Sequence, residues 1–119
     1  MLADNIHLYE NGPAWDLAQA VKEQDTILIK NLCLKEPSLL KFQENKFGQT
    51  LIEWAVYTDR YQATKALAEC GTDANIQSYN GTSAFIHAGE KCETSDYLKI
   101  LLKYGGDVNA IAKNKETGV

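Results

Sequence analysis

A repeat limits what this chain can fold into more than any other feature. Laying Gly81 under Gly48 puts Ala88 under Ala55, at a shift of 33 residues. After one inserted residue near Ser95 the shift becomes 34. Lys99, Leu101, Gly105, Asp107 and Asn109 then fall under Lys65, Leu67, Gly71, Asp73 and Asn75. Similar residues fill other columns: Thr50 with Ser83, Ile52 with Phe85, Ala74 with Val108. A period in this range marks stacked units, each of which buries its apolar face only against a neighbour.

Each unit reads the same way. Thr50 and Ser83 are N-cap residues, able to satisfy free amides at a helix start. A short helix follows, with small residues (Ala55, Val56; Ala88, Gly89) where a neighbouring helix must come close. A polar turn comes next, Tyr57-Thr58-Asp59-Arg60 in one unit and residues 90–95 in the other. A second helix runs to Cys70 or Tyr104 and stops at Gly71 or Gly105, the residue best suited to a left-handed C-cap. An Asp-x-Asn stretch then leads into an extended turn, which ends in Phe47-Gly48 ahead of one unit and Asn80-Gly81 ahead of the next. Asn80-Gly81-Thr82 has the form of a glycosylation sequon and reads as that turn. Along the second helices, Tyr61, Tyr97, Leu98, Ile100, Leu101 and Leu102 follow an apolar stripe and are expected in the core.

Residues 14–46 read as a degenerate copy. Ala20, Lys30 and Leu32 precede Ala55, Lys65 and Leu67 by 35. Pro13 suits a first helical turn. Leu17, Ala20, Val21, Ile27, Leu28 and Leu32 recur near helical spacing. Glu36-Pro37 stands where the later units have a Gly stop. Divergence at an end is expected of a capping repeat.

The stretch Gly48-Gln49-Thr50-Leu51-Ile52-Glu53-Trp54-Ala55-Val56, followed by Lys65-Ala66-Leu67-Ala68-Glu69-Cys70-Gly71-Thr72-Asp73-Ala74-Asn75, resembles an ankyrin repeat. So does the stretch from Gly81 to Asn109. The resemblance covers about residues 14–110. The family's Pro-Leu-His after the Thr reads Leu51-Ile52-Glu53 here and Ala84-Phe85-Ile86 in the next unit. Losing that His removes a hydrogen bond that ties neighbouring turns in the family. The resemblance implies an all-α solenoid of stacked helix-turn-helix units with projecting β-turn or hairpin loops. Its divisions would be a leading segment 1–13, a degenerate capping repeat 14–47, repeats 48–80 and 81–110, and a tail 111–119.

The resemblance also implies a concave surface made by turn tips and the exposed side of each first helix. Carried over by column, the turn positions are Lys46, Phe47 and Gln49, then Tyr79, Asn80 and Thr82. The helix positions are Trp54, Tyr57 and Thr58, then His87, Glu90 and Lys91. Phe47, Trp54, Tyr57 and Tyr79 would form an aromatic strip flanked by charge, and Tyr and Trp are enriched in interface hot spots. The alternative for Trp54 and Phe47 is packing between repeats. The implied function is a non-catalytic module binding a partner protein. By analogy with other uses of the family, that extends to a bacterial immunity or effector-binding protein. The rival reading is a structural, N-terminal part of a longer array.

Composition narrows the partners. The net charge is −4, and Arg60 is the only Arg among 12 basic residues. Nucleic-acid binding usually needs a dense basic patch rich in Arg. No apolar run approaches the length of a membrane span, and residues 1–10 do not read as a secretion signal. Cys33, Cys70 and Cys92 are odd in number without C-x-x-C spacing, which argues a reducing cytoplasm and thiols rather than a disulfide frame. His7 and His87 are the only histidines, too few and too far apart for a zinc site. His87 with Cys92 is the only nucleophile–base pair to consider; five residues apart near a helix end, the two diverge, and no third group orients the His. No catalytic residue, metal, cofactor or small-molecule substrate is expected.

Residues 115–119 resemble the turn opening a further repeat. The last helix pair carries more apolar side chains than its inward face can use. Weak self-association through the C-terminal repeat is therefore expected, unless Ile111 folds back to cap the stack.

Overall fold

The computed structural model describes residues 2–90 and 95–104. Among these residues six α-helices run in pairs: α1 (Trp15–Glu23) with α2 (Thr26–Lys35), α3 (Leu51–Tyr57) with α4 (Tyr61–Glu69), and α5 (Ala84–Glu90) with α6 (Ser95–Lys103). There is no strand among the described residues. Helix α3 packs on α1 and α5, while α4 packs on α2 and α6. The first helices of the pairs thus form one layer and the second helices another.

Local chemistry sets the boundaries. Thr50 caps α3 by accepting from the Glu53 amide at 3.3 Å, and Ser83 Oγ accepts from the Ile86 amide at 3.2 Å. Helix α4 ends as expected at Gly71, where φ is +93°. The Gly71 amide donates to Ala68 and the Thr72 amide to Leu67, the paired bonds of a Schellman stop. Helix α2 ends at Lys35 with Glu36 as its cap, and Pro37–Lys41 continues as a 3-10 helix. Pro13 lies ahead of α1, whose cap is Ala14, so it does not open the helix as its position suggested.

Leu67 and Leu101, in one repeat column, are both fully buried, with Phe85, Ala55 and Ala88 between the pairs. Tyr97 and Ile100 are buried as expected, and Tyr61 and Leu98 pack against the core. Leu102 is exposed, a correction to the stripe: Leu101 already fills the inward position, and its neighbour turns outward. In α2 the inward residues are Ile29 and Cys33. Ile27 is 75% exposed and Leu28 is also exposed, contrary to the expected stripe, because α2 is apolar around most of its circumference and periodicity could not fix its face.

Two ties were not expected. Ile6–Tyr9 forms a 3-10 helix that buries Ile6 and Tyr9, and the Tyr9 hydroxyl lies 3.1 Å from the carbonyl oxygens of both Gln49 and Thr50. Gln24 closes α1 in the left-handed region, with φ of 56°. Its Oε1 accepts from the amides of Gln62 and Ala63 at 2.9 and 3.3 Å. It thereby caps α4 of the next repeat, whose own cap position, Arg60, supplies no such bond.

Candidate functional site

Two projecting turns carry half of the expected surface. In the first, the buried Glu44 carboxylate accepts from the amides of Phe47 (2.6 Å) and Gln49 (2.8 Å). In the second, Asn80 Oδ1 accepts from Ser78 Oγ at 2.6 Å and from the Thr82 amide at 3.2 Å, and Gly81 takes φ of +86°. The sequon stretch is thus a tight turn held by its own side chains. The Tyr79 amide donates to the Phe47 carbonyl at 2.8 Å. Gln43 Nε2 bridges the Gly48 and Gln77 carbonyls at 2.8 Å each. The turns are therefore fixed to one another as well as to their helices.

Glu53 is the centre of the arrangement. It is 1% exposed, yet it is an acid. Its Oε2 accepts from Thr82 Oγ1 at 2.8 Å and from His87 Nε2 at 3.1 Å, joining α3 to the next turn and to α5. Buried carboxylates persist only when bonded in this way. The tie that the missing family His would have made is supplied by the Glu that replaces it. The Tyr57 ring lies 5.2 Å from the His87 ring. Phe47, Tyr57, Asn80 and His87 come together with Glu53 and Gln49 around a recess of about 170 Å³.

Of the expected residues, Tyr57 and Tyr79 are 45% and 69% exposed. Glu90 is exposed, 3.9 Å from His87 Nδ1. Thr58 is half-buried, its hydroxyl donating to the Trp54 carbonyl at 2.8 Å. Phe47 is half-buried beneath the Lys46 ammonium, 5.3 Å from its ring centre. Lys91 and Cys92 lie outside the described residues. Trp54 is corrected: at 1% exposure it belongs to the core, with the Arg60 guanidinium over its ring at 4.6 Å. Arg60 in turn donates from Nε to the Lys22 carbonyl at 3.0 Å, which closes the indole between two repeats. Sequence reasoning missed Glu53 and Glu44 as site-forming groups. The one available signal was an acid at the column where a His was expected.

Larger recesses lie elsewhere, about 330 Å³ between α1 and α2 and about 380 Å³ between α2 and α4. Neither gathers aromatic side chains. Among the described residues no three His, Cys, Asp or Glu side chains gather to hold a metal ion, and no helix is long and apolar enough to cross a membrane.

The repeat fold has known relatives. The family model of ankyrin repeats, in three copies, matches residues 17–112. Protein PhlB of Serratia liquefaciens is 31% identical over 103 residues, which are 86% of this chain and 42% of that protein. The crystal structure of EF0377, an ankyrin repeat protein, superposes with a TM-score of 0.62 at 27% identity, over 80% of this chain and 47% of that one. The chain thus spans less than half the length of these relatives. With its paired helices, its Schellman stop and its interlocked turns, the chain belongs to the ankyrin repeat family.

Proposed function

We propose that this chain is a non-catalytic module that holds one partner protein on its concave face. Ankyrin repeats are generally protein-interaction modules, and one observation carries the reading here. Tyr57, at the end of a helix, lines the recess and is 45% exposed, and Tyr79, 69% exposed, stands in the next turn between Ser78 and Asn80, which line the recess too. That turn is pinned by backbone and side-chain bonds. Rigid aromatic anchors lose little entropy on binding, and such residues dominate interface energies. Phe47, Asn80, His87 and Glu90 complete the surface; Thr58 and Lys91 extend it along the same columns. The acidic balance, with one Arg in the chain, favours a protein over nucleic acid. Free Cys33 and Cys70 suit a reducing compartment such as the cytoplasm. A role in bacterial immunity or effector binding extends the proposal by analogy, supported by a relative from a bacterium. Self-association through the C-terminal repeat belongs to the proposal too, with Leu102 exposed there.

The test is affinity capture on the immobilised chain, identification of the retained protein by mass spectrometry, and measurement of its affinity for wild type and for Tyr57→Ala and Tyr79→Ala. Loss of affinity in both variants supports the reading. The second reading, a stacked part of a longer array, is favoured by the greater length of both relatives. Further repeats encoded beyond residue 119 would favour it.

A further inference from the structure

The recess between α3, α5 and the two turns contains an imbalance of hydrogen-bonding groups. Glu53 Oε1 and Gln49 Oε1 are buried and have no hydrogen-bond partner. Buried acceptors are nearly always satisfied in native proteins, and an unpaired carboxylate oxygen is among the costlier exceptions. The donors at hand are committed. Thr82 Oγ1 and His87 Nε2 both serve Glu53 Oε2, while Gln49 Nε2 donates to the Ala3 carbonyl. The recess that Glu53 and Gln49 line is thus short of donors and has one acid in its wall. Phe47 and Tyr57 contribute aromatic surface to the same wall. At about 170 Å³ it admits the end of one long side chain.

We propose that this recess receives an arginine side chain of the partner protein, whose guanidinium donates to Glu53 Oε1 and Gln49 Oε1. The proposal rests on the concave-face reading and adds the chemistry of what enters. Two acceptors on different residues call for several N–H groups in one plane, which a guanidinium has and a lysine ammonium does not present in that form. Its flat face also stacks on aromatic rings. The net charge of −4 draws a basic segment towards this surface. Tyr57 then flanks the entering side chain, and Glu90, 3.9 Å from the His87 ring that lines the recess, adds a second negative charge nearby.

The probe is Nα-acetyl-arginine methylamide, titrated into the full chain and followed by amide and side-chain nuclear magnetic resonance. Nα-acetyl-citrulline methylamide, equal in shape but uncharged, is the control. A single anchored side chain should bind at roughly 1–10 mM. Saturable shifts centred on Gln49, Glu53, Thr82 and His87, with citrulline at least about tenfold weaker, support the proposal. Gln49→Met keeps the side-chain length and removes the acceptor along with the Nε2 donor to the Ala3 carbonyl. It should therefore weaken arginine binding about fivefold or more in a chain that retains its folded spectrum, the Ala3 resonances included. Glu53→Gln should weaken it further. If that variant unfolds, Gln49→Met decides. Equal shifts with citrulline, no shift with either compound, or unchanged binding in Gln49→Met would overturn the proposal. If the probe fails while Tyr57→Ala and Tyr79→Ala still lose the captured protein, the arginine site is wrong and the concave-face reading stands. If the probe binds and those variants keep full affinity, the reverse holds.

Discussion

Glu53, on the first helix of one repeat, accepts a 2.8 Å hydrogen bond from Thr82 Oγ1 in the turn that opens the next. The pair is 29 residues apart, and with His87 it welds α3 to the following repeat. Thr82→Val keeps the shape and removes the donor. It should cost about 1.5–3 kcal/mol, the range for a hydrogen bond to a charged group. Denaturant unfolding measures this, and a loss below about 0.5 kcal/mol would show that the bond adds nothing to folding.

Leu101 fills the same column as Leu67, and both are fully buried. Leu101→Ala should cost about 2–5 kcal/mol, out of a total near 5–15 kcal/mol for a domain of this size. Calorimetry checks it: a melting temperature lowered by less than a couple of degrees would refute this placement in the core.

Gly48 and Gly71 both have positive φ, +72° and +93°, but different surroundings. A Cβ at Gly48 would come within 2.6 Å of the Tyr79 ring, whereas at Gly71 it would meet nothing within 4 Å. Gly71→Ala should cost about 1–2 kcal/mol from backbone strain alone. Gly48→Ala should cost more and should also shift the Tyr79 resonances. Equal costs with an unmoved Tyr79 ring would contradict the close packing of the two turns.

The fold should weaken in alkali. Burial, with Cys70 beside it, pushes the Cys33 thiol from 9.0 up to about 12. Burial, with Asp59 and Tyr61, takes Tyr97 from 10.0 to about 12. Burial, with Glu44 and Glu53, also raises Tyr9 well above its ordinary value. The unfolded chain loses these protons first, so stability is fully present below about pH 9 and falls as pH rises towards 12. Each group contributes up to about 1.4 kcal/mol per pH unit across its own window. Melting temperatures at pH 8 and pH 10 should differ, and Cys33→Ala should narrow the difference. A flat profile from pH 8 to 11 would show that these groups ionise as readily in the folded chain.

The helices were legible where chemistry is local. Thr50, Ser83 and Gly71 announce their caps and stop, and the repeat columns place Leu67 and Leu101 together. Legibility ended where one face had to be chosen without a pattern, as in α2, where Ile27 turns to solvent and Ile29 turns inward. The column of Trp54 allows either the exposed side of the helix or packing between repeats; Arg60, folded over the indole from the next turn, decides for the latter by enclosing it. Glu53 could not be read as the bridge between repeats. Its partner, Thr82, is brought there by stacking, which no local pattern encodes.

On the proposed reading, one concave face anchored by Tyr57 and Tyr79 holds a partner protein. The most direct test is the dissociation constant of the captured partner for wild type, Tyr57→Ala and Tyr79→Ala. Each substitution should weaken binding by about 1–2 kcal/mol, roughly 5- to 30-fold in affinity, while folding stability changes by less than about 1 kcal/mol. Unchanged affinity in both variants would place the partner on a surface other than this concave face.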